Sequence, residues 1–346
     1  MKTEKRQGWQ KALTGFLWAV IILTIPPVIF AKRTCLEPLP HRNQLPTSAV
    51  FLEPEPLSPC TTPQGAQHWR GSMQWSNTSY EVLEHGYELV IDHERWDNQV
   101  TVRHGLSSTS DIGLRFGAVH DGGGIGDATI SRFHRRVRYP EYERVDRPRS
   151  GFEIIYNDPF HNRYYERQNT VDAPTEPVIS YRQKTTEIPM PWVDSLWVGW
   201  RGDLKLPLGD TAPLVNSSRP DAALGIMTDT GKDLPFGRVG FNLQANIVAL
   251  GKSQSVIFQQ RHYLLTGSGT LGLKLFDKIE IVTQWLSATQ RYEHHGIGLL
   301  DRSQHIHSNG VRYWWKNHLL SFAFTEDPAP SSEDVSFLFA WQYLPK

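Results

Sequence analysis

The stretch Val239-Gly240-Phe241-Asn242-Leu243-Gln244-Ala245-Asn246-Ile247-Val248-Ala249 alternates along its length. Its odd positions are Val, Phe, Leu, Ala, Ile and Ala, and Gly240, Asn242, Gln244, Asn246 and Val248 stand between them. Successive strand side chains face opposite ways, so this segment has one apolar face and one amide-rich face. Working outward, Leu196, Val198, Trp200, Leu204, Leu206 and Leu208 alternate with Trp197, Arg201, Asp203 and Lys205. Ile112, Leu114, Phe116 and Ala118 alternate with Asp111, Gly113, Arg115 and Gly117, and Val335, Phe337, Phe339, Trp341 and Tyr343 form an apolar column at the end of the chain. Almost no helical period is found beyond residue 31, and residues 121–149 and 158–177 read as long polar loops.

A soluble sandwich and a membrane barrel both show period two. The sandwich buries its apolar faces against each other; the barrel turns them to lipid and keeps the polar faces inside. Runs as long as Leu196–Leu208 favour the barrel, because a tilted strand needs about 9–11 residues to cross the hydrocarbon. Aromatic residues near strand ends, namely Trp69, Trp96, Tyr292, Trp314, Trp315 and Tyr343, read as interfacial girdles. The expected fold is all-β: a transmembrane antiparallel up-and-down β-barrel of about 12 strands, an even number. The Tyr87–Trp96 and 178–183 segments leave the count soft by two strands either way.

Parity then assigns side chains to the lumen. Arg70, Arg103, Arg115, Arg201, Asp203, Lys205, Asn242, Gln244 and Asn246 face inward, because a charge on the lipid face costs roughly 2–4 kcal/mol at the bilayer midplane. That set has five cations and one anion, an anion-favouring field unless an acidic side chain folds in to neutralise it. Two long segments, 32–66 and 121–149, are able to block such a lumen.

The beginning of the chain reads as an export signal. Lys2, Lys5, Arg6 and Lys11 precede an uncharged tract from Ala12 to Phe30, and cleavage after Ala31 is expected; an uncleaved anchor is the alternative. The domain plan is a signal peptide at 1–31, a Pro-rich periplasmic segment at 32–66 that crosses or plugs the end of the barrel, and the barrel itself at 67–346. The chain has 36 Lys+Arg, 36 Asp+Glu and 2 Cys among 346 residues. The zero formal charge argues against a nucleic-acid partner. Export makes a Cys35–Cys60 disulfide the natural use of the cysteine pair, and no thiolate metal site remains.

Several motifs together resemble a bacterial outer-membrane family catalogued as domain of unknown function 3187. They are Pro40-His41-Arg42-Asn43-Gln44, Trp75-Ser76-Asn77, Arg103 to Leu106 with Asp111 to Phe116, Gly122-Gly123 with Ile130-Ser131-Arg132-Phe133-His134, and Lys205 to Asp210. The resemblance runs from about residue 38 to 343. Leu45-Pro46 and the tail Leu344-Pro345-Lys346 depart from the family pattern. The resemblance implies the bacterial outer membrane as location and a barrel as architecture, not an activity.

Other constellations have plainer readings. Gly122-Gly123-Gly124-Ile125-Gly126 lacks the Lys-Ser/Thr of a phosphate loop and reads as a mobile loop. The pairs His294/His295 and His305/His307 read as loop or strand-end histidines rather than metal ligands. His307-Ser308-Asn309 has the residue types of an acyl hydrolase, but adjacent strand residues point to opposite faces. Arg132, Arg135, Arg136 and Arg138, with Tyr164-Tyr165-Glu166-Arg167, read as solvated loop charge or as contacts for outer-membrane lipids and lipopolysaccharide. No catalytic residue, cofactor or metal ligand is assigned. The functional expectation is a narrow, modestly anion-selective channel for small solutes. A closed structural or lipid-interacting barrel is the alternative, and a lipid-modifying enzyme the second alternative.

Overall fold

The computed structural model of the protein describes residues 35–124, 126–137, 151–194, 196–209, 213–252, 258–293, 296–326 and 332–345. The expected signal peptide therefore lies outside the described residues.

The alternating segments become strands. They are β1 (Gln67–Glu84), β2 (Tyr87–Gly105), β3 (Ser110–Gly122), β4 (Glu153–Asp158), β5 (Arg163–Arg167), β6 (Val171–Ile188) and β7 (Leu196–Lys205). The series continues with β8 (Asp221–Leu234), β9 (Gly237–Ala249), β10 (Tyr263–Leu275), β11 (Ile279–Ala288), β12 (Gln304–Trp315), β13 (His318–Glu326) and β14 (Val335–Tyr343). Neighbouring strands pair antiparallel, and β1 bonds both to β2 and to β14, which closes the sheet into a barrel of 12 strands. The remaining two, β4 and β5, extend the sheet from the first half of β2.

The two barrel ends differ. Turns at 106–109, 235–236, 276–278 and 316–317 crowd one end with the start of β1 and the end of β14; we name it the turn end. Longer connections gather at the other, the loop end. There the β1–β2 hairpin pairs from Gln67–His104 up to Glu84–Tyr87, whereas β14 accompanies β1 only to Asn77. The hairpin thus rises past the rim.

The faces follow parity. Trp69, Leu114, Trp200, Phe241, Leu243, Ile281, Phe322 and Phe339 are exposed on the outside, while their strand neighbours Arg70, Arg115, Arg201, Asn242, Gln244, Ser321 and Ala340 are buried within. An inside-out distribution of this kind is what lipid as the outer solvent selects.

Three expectations change. Residues 121–149 contain a helix, α2 (Asp127–Val137), and α1 (Pro46–Ala49) and α3 (Gly298–Asp301) are single turns. Residues 158–177, read as loop, supply β5 and the start of β6. In β6, Arg115 pairs with Val178 and Gly117 with Thr175, so Glu176 and Pro177 together oppose Phe116. The bulge accepts a proline without losing a ladder bond and turns Glu176 towards Lys205. Finally, Tyr292 is not part of an outer girdle. It is buried, and its hydroxyl donates to the Thr47 carbonyl.

Candidate functional site

The segment expected at the periplasm, as far as it is described, runs inside the barrel. From Cys35 to Pro63 it enters at the turn end, climbs to α1 and returns, and most residues on the way are buried. We call it the strap. Pro38, Pro40, Pro46, Pro54, Pro56, Pro59 and Pro63 explain why it is not a further strand: proline has no N–H to offer a ladder.

Wall side chains take the part that a neighbouring strand would play. Backbone N–H groups of the strap donate to wall acceptors: Leu36 to Asp229 (3.2 Å), Leu39 to Gln284 (2.8 Å), Leu52 to Asp221 (2.9 Å), Leu57 to Gln244 (3.0 Å) and Thr62 to Asp111 (2.8 Å). Strap carbonyls accept in turn from wall donors. Val50 accepts from Lys205 (2.7 Å), Arg42 from Gln74 (2.9 Å), Ser58 from Arg182 (2.7 Å), and Glu55 from Arg201. Buried backbone polar groups need partners, and outside the local bonds around α1 and the Asn43 and Ser58 side chains these lie far away in sequence.

Room for the strap is made by glycine. A Cβ at Gly272 would stand 2.5 Å from Leu36 Cδ1, and one at Gly240 would stand 3.1 Å from Leu36 Cβ. Bare backbone at two paired lumen positions of β9 and β10 lets the leucine in.

Charges meet across the same boundary. Glu55 pairs with Arg70 and lies 3.8 Å from Arg115. Arg42 binds Asp97 at 2.5 Å, Arg291 binds Glu53 at 3.2 Å, and His41 meets Glu333 at 3.2 Å. Other pairs join wall to wall. Asp111 takes both Arg103 (2.7 Å) and Arg182 (2.5 Å), Asp121 takes Arg95 and Arg167 (both 3.0 Å), Arg201 takes Asp203 (2.5 Å), and Lys205 lies between Glu176 (2.9 Å) and Asp221 (2.7 Å). The excess of cations on the parity-assigned positions is therefore answered, partly by the strap itself. Cavities between strap and wall at Val50–Arg115 and at Glu55–Arg201 measure about 20 and 10 Å³, water-sized at most.

All nine residues assigned to the lumen by parity are buried within it. Asn242, Gln244 and Asn246 form an amide column: Gln244 donates to Asn246 (3.2 Å), which donates to Thr266 (3.0 Å). Cys35 and Cys60 are joined, with Cα atoms 6.1 Å apart, where the strap's two limbs come together at the turn end. Sequence reasoning missed the strap acids Glu53 and Glu55 and the wall acid Asp111. Regular parity did put Asp111 on the polar face, but nothing in the sequence placed Glu55 between two arginines.

At the loop end the strap's turn is roofed. Leu45, Val50, Phe51 and Leu52 share an apolar core with Val82, Leu89 and Ile91 of the hairpin, Ile154 and Tyr156 of β4, and Leu214, Phe258, Tyr292 and Leu299 of the loops. The polar filling thus ends beneath a dry lid.

Helix α2 lies against the outside of the wall, not in the lumen. A Cβ on Gly126 would fall 2.5 Å from the Trp75 ring, and the Gly126 N–H donates to Glu94 at 2.7 Å. Trp75 Nε1 and Asn77 also donate to Glu94, at 3.0 and 3.2 Å, so an outward-facing carboxylate is shielded from lipid. The glycine cluster read as a mobile loop includes this helix start. Arg132, Arg135 and Arg136 are exposed on α2, and Arg138 lies outside the described residues. Tyr164 is exposed on β5, while Arg167 is buried against Asp121.

His305 and His307 stand on the outer face beside Trp285, bonded to Ser287 (3.0 Å) and Thr283 (2.9 Å). Ser308 points inward to Thr325 (2.8 Å), so His307 and Ser308 lie on opposite sides of the wall. His294 and His295 lie outside the described residues. Among the described residues, no group of three or more His, Cys, Asp or Glu is arranged to hold a metal ion.

Among solved structures the chain is similar to the COG4313 outer membrane channel from Pseudomonas putida F1, with 11% identity, a TM-score of 0.53, and coverage of 84% of this chain and 99% of that one. The NanC porin follows at 5% identity and TM-score 0.42, covering 80% and 99%, and the P. putida toluene transporter TodX at 9% and 0.39, covering 83% and 92%. At such identities the first likeness concerns the fold alone. No curated protein matches the chain. One family model, described as Protein of unknown function (DUF3187), matches residues 20–343, and the chain belongs to that family.

Proposed function

We propose that the protein is a bacterial outer-membrane channel closed at rest by its own strap. The observation that carries this is the chemistry of the contact between strap and wall. Twelve strands enclose a lumen that the wall's side chains do not fill, and the strap fills it through hydrogen bonds and ion pairs. Those same wall groups are satisfied by water once the strap withdraws, which an apolar filling would not allow. The apolar outer surface, with the export signal expected from the sequence, supports the outer membrane, and by the short-turn rule the turn end faces the periplasm. The roof then faces the outside. The exposed arginines of α2 are placed to meet phosphorylated headgroups of the outer leaflet.

Planar-bilayer recording tests this reading. The full chain should rest closed with rare openings, and deletion of residues 35–63 should give sustained conductance. A deletion variant that folds and stays silent would leave the closed structural barrel instead.

A further inference from the structure

Five adjacent barrel strands, β1, β2, β3, β6 and β7, each present an arginine to the lumen: Arg70, Arg103, Arg115, Arg182 and Arg201. The register makes them one surface. Thr101 pairs with both Arg70 and Arg115, two residues along β2 from Arg103, and Arg182 pairs directly with Arg201. Wall carboxylates on this surface are Asp111, Asp203 and, nearer the loop end, Asp97, while Asp121 pairs with Arg95 and Glu176 with Lys205. Across the lumen, β9 offers the neutral amides of Asn242, Gln244 and Asn246.

The strap supplies the missing negative charge. Its described residues include Glu37, Glu53 and Glu55 against Arg42 as the one Lys or Arg. Glu55 lies on the arginine surface, paired with Arg70, near Arg115, and with its carbonyl on Arg201. Withdrawal of the strap also frees Asp97 and Glu333, which stand nearer the loop end, and Asp229 on β8, which lies away from the arginine surface.

We propose that the solutes of this channel are small organic anions bearing a carboxylate, and that Glu55 at rest holds the place on the arginine surface which that carboxylate takes. The proposal rests on the channel reading above. Guanidinium groups recognise carboxylates with paired N–H donors, so a run of five along the wall gives a mobile carboxylate successive partners. The strap is then a tethered competitor of the solute. Anions should favour opening as well as pass through it.

The test is bilayer recording of full-length protein under a potassium chloride gradient. Glu55→Gln should open more often than the parent, with a reversal potential on the chloride side, and Arg70→Gln with Arg115→Gln in that background should abolish the preference while openings persist. If Glu55→Gln does not fold, the parent protein in potassium acetate serves: acetate should raise the open fraction several-fold over sulfate-free chloride of equal ionic strength. Openings without anion preference, or an open fraction indifferent to acetate, would overturn the proposal and leave the channel reading standing. Silence both in Glu55→Gln and after deletion of residues 35–63 would overturn the channel reading itself.

Discussion

Asp111 is the residue at which wall and strap are tied most closely. It accepts from Arg103, from Arg182 and from the Thr62 N–H, all buried. Asp111→Asn leaves two buried guanidiniums with no full negative charge, and breaking a buried pair in this way costs about 3–5 kcal/mol. The expected outcome is a clear fall in the temperature at which the folded band converts on electrophoresis. Asp172→Asn is the matched control. That carboxylate pairs with His120 at 2.8 Å but is exposed, and surface pairs contribute only about 0–1 kcal/mol, so its band should convert with the parent's. At this scale the sequence was readable through parity alone. It placed Arg103 and Arg201 inside because lipid forbids the other side, yet parity is silent on partners. The acids that answer these arginines come from other strands and from the strap.

Among the elements, the strands were legible, while the strap was legible only as a Pro-rich segment able to plug the barrel, not in its path or contacts. A strand repeats every two residues and advertises its faces; the strap's order comes from single wall side chains with no common spacing. One signal was present. Gly240 falls on the lumen parity of an otherwise regular strand, where a missing side chain means that something approaches closely. Helix α2 was hidden for a different reason. It packs on Trp75 and Glu94 of the outer wall, contacts that no local pattern announces. The disulfide makes the strap a closed loop whose cysteines are 25 positions apart. Cross-links of this size contribute on the order of 3 kcal/mol by restricting the unfolded chain. Replacing both cysteines by serine should leave the barrel folded, since the strand ladders do not pass through them, while cleavage within 35–63 by added protease becomes faster. Equal cleavage rates would mean that the wall contacts hold the strap without help.

For the whole molecule the governing quantity is the field left in the lumen once the strap is gone. On the surface formed by β1, β2, β3, β6 and β7, with the Arg95–Asp121 and Lys205–Glu176 pairs set aside, five guanidiniums stand against the carboxylates of Asp111, Asp203 and Asp97. Arg115→Glu with Arg201→Glu turns that balance into three cations against five anions. A narrow, low-dielectric passage concentrates such a field, so the permeating sign should follow it. In protein lacking residues 35–63, the reversal potential under a potassium chloride gradient should move from the chloride side to the potassium side. Chloride, unlike a carboxylate, has no paired oxygens for a guanidinium to grip, so the preference for it is an effect of the summed field, which gives it a second signature. At 1 M salt the Debye length shrinks to about 3 Å, less than the spacing between neighbouring strands, and the preference should collapse in both proteins. A preference that survived high salt unchanged would point to direct binding of ions at individual arginines, and the charge reversal would then act only on those ions that bind there.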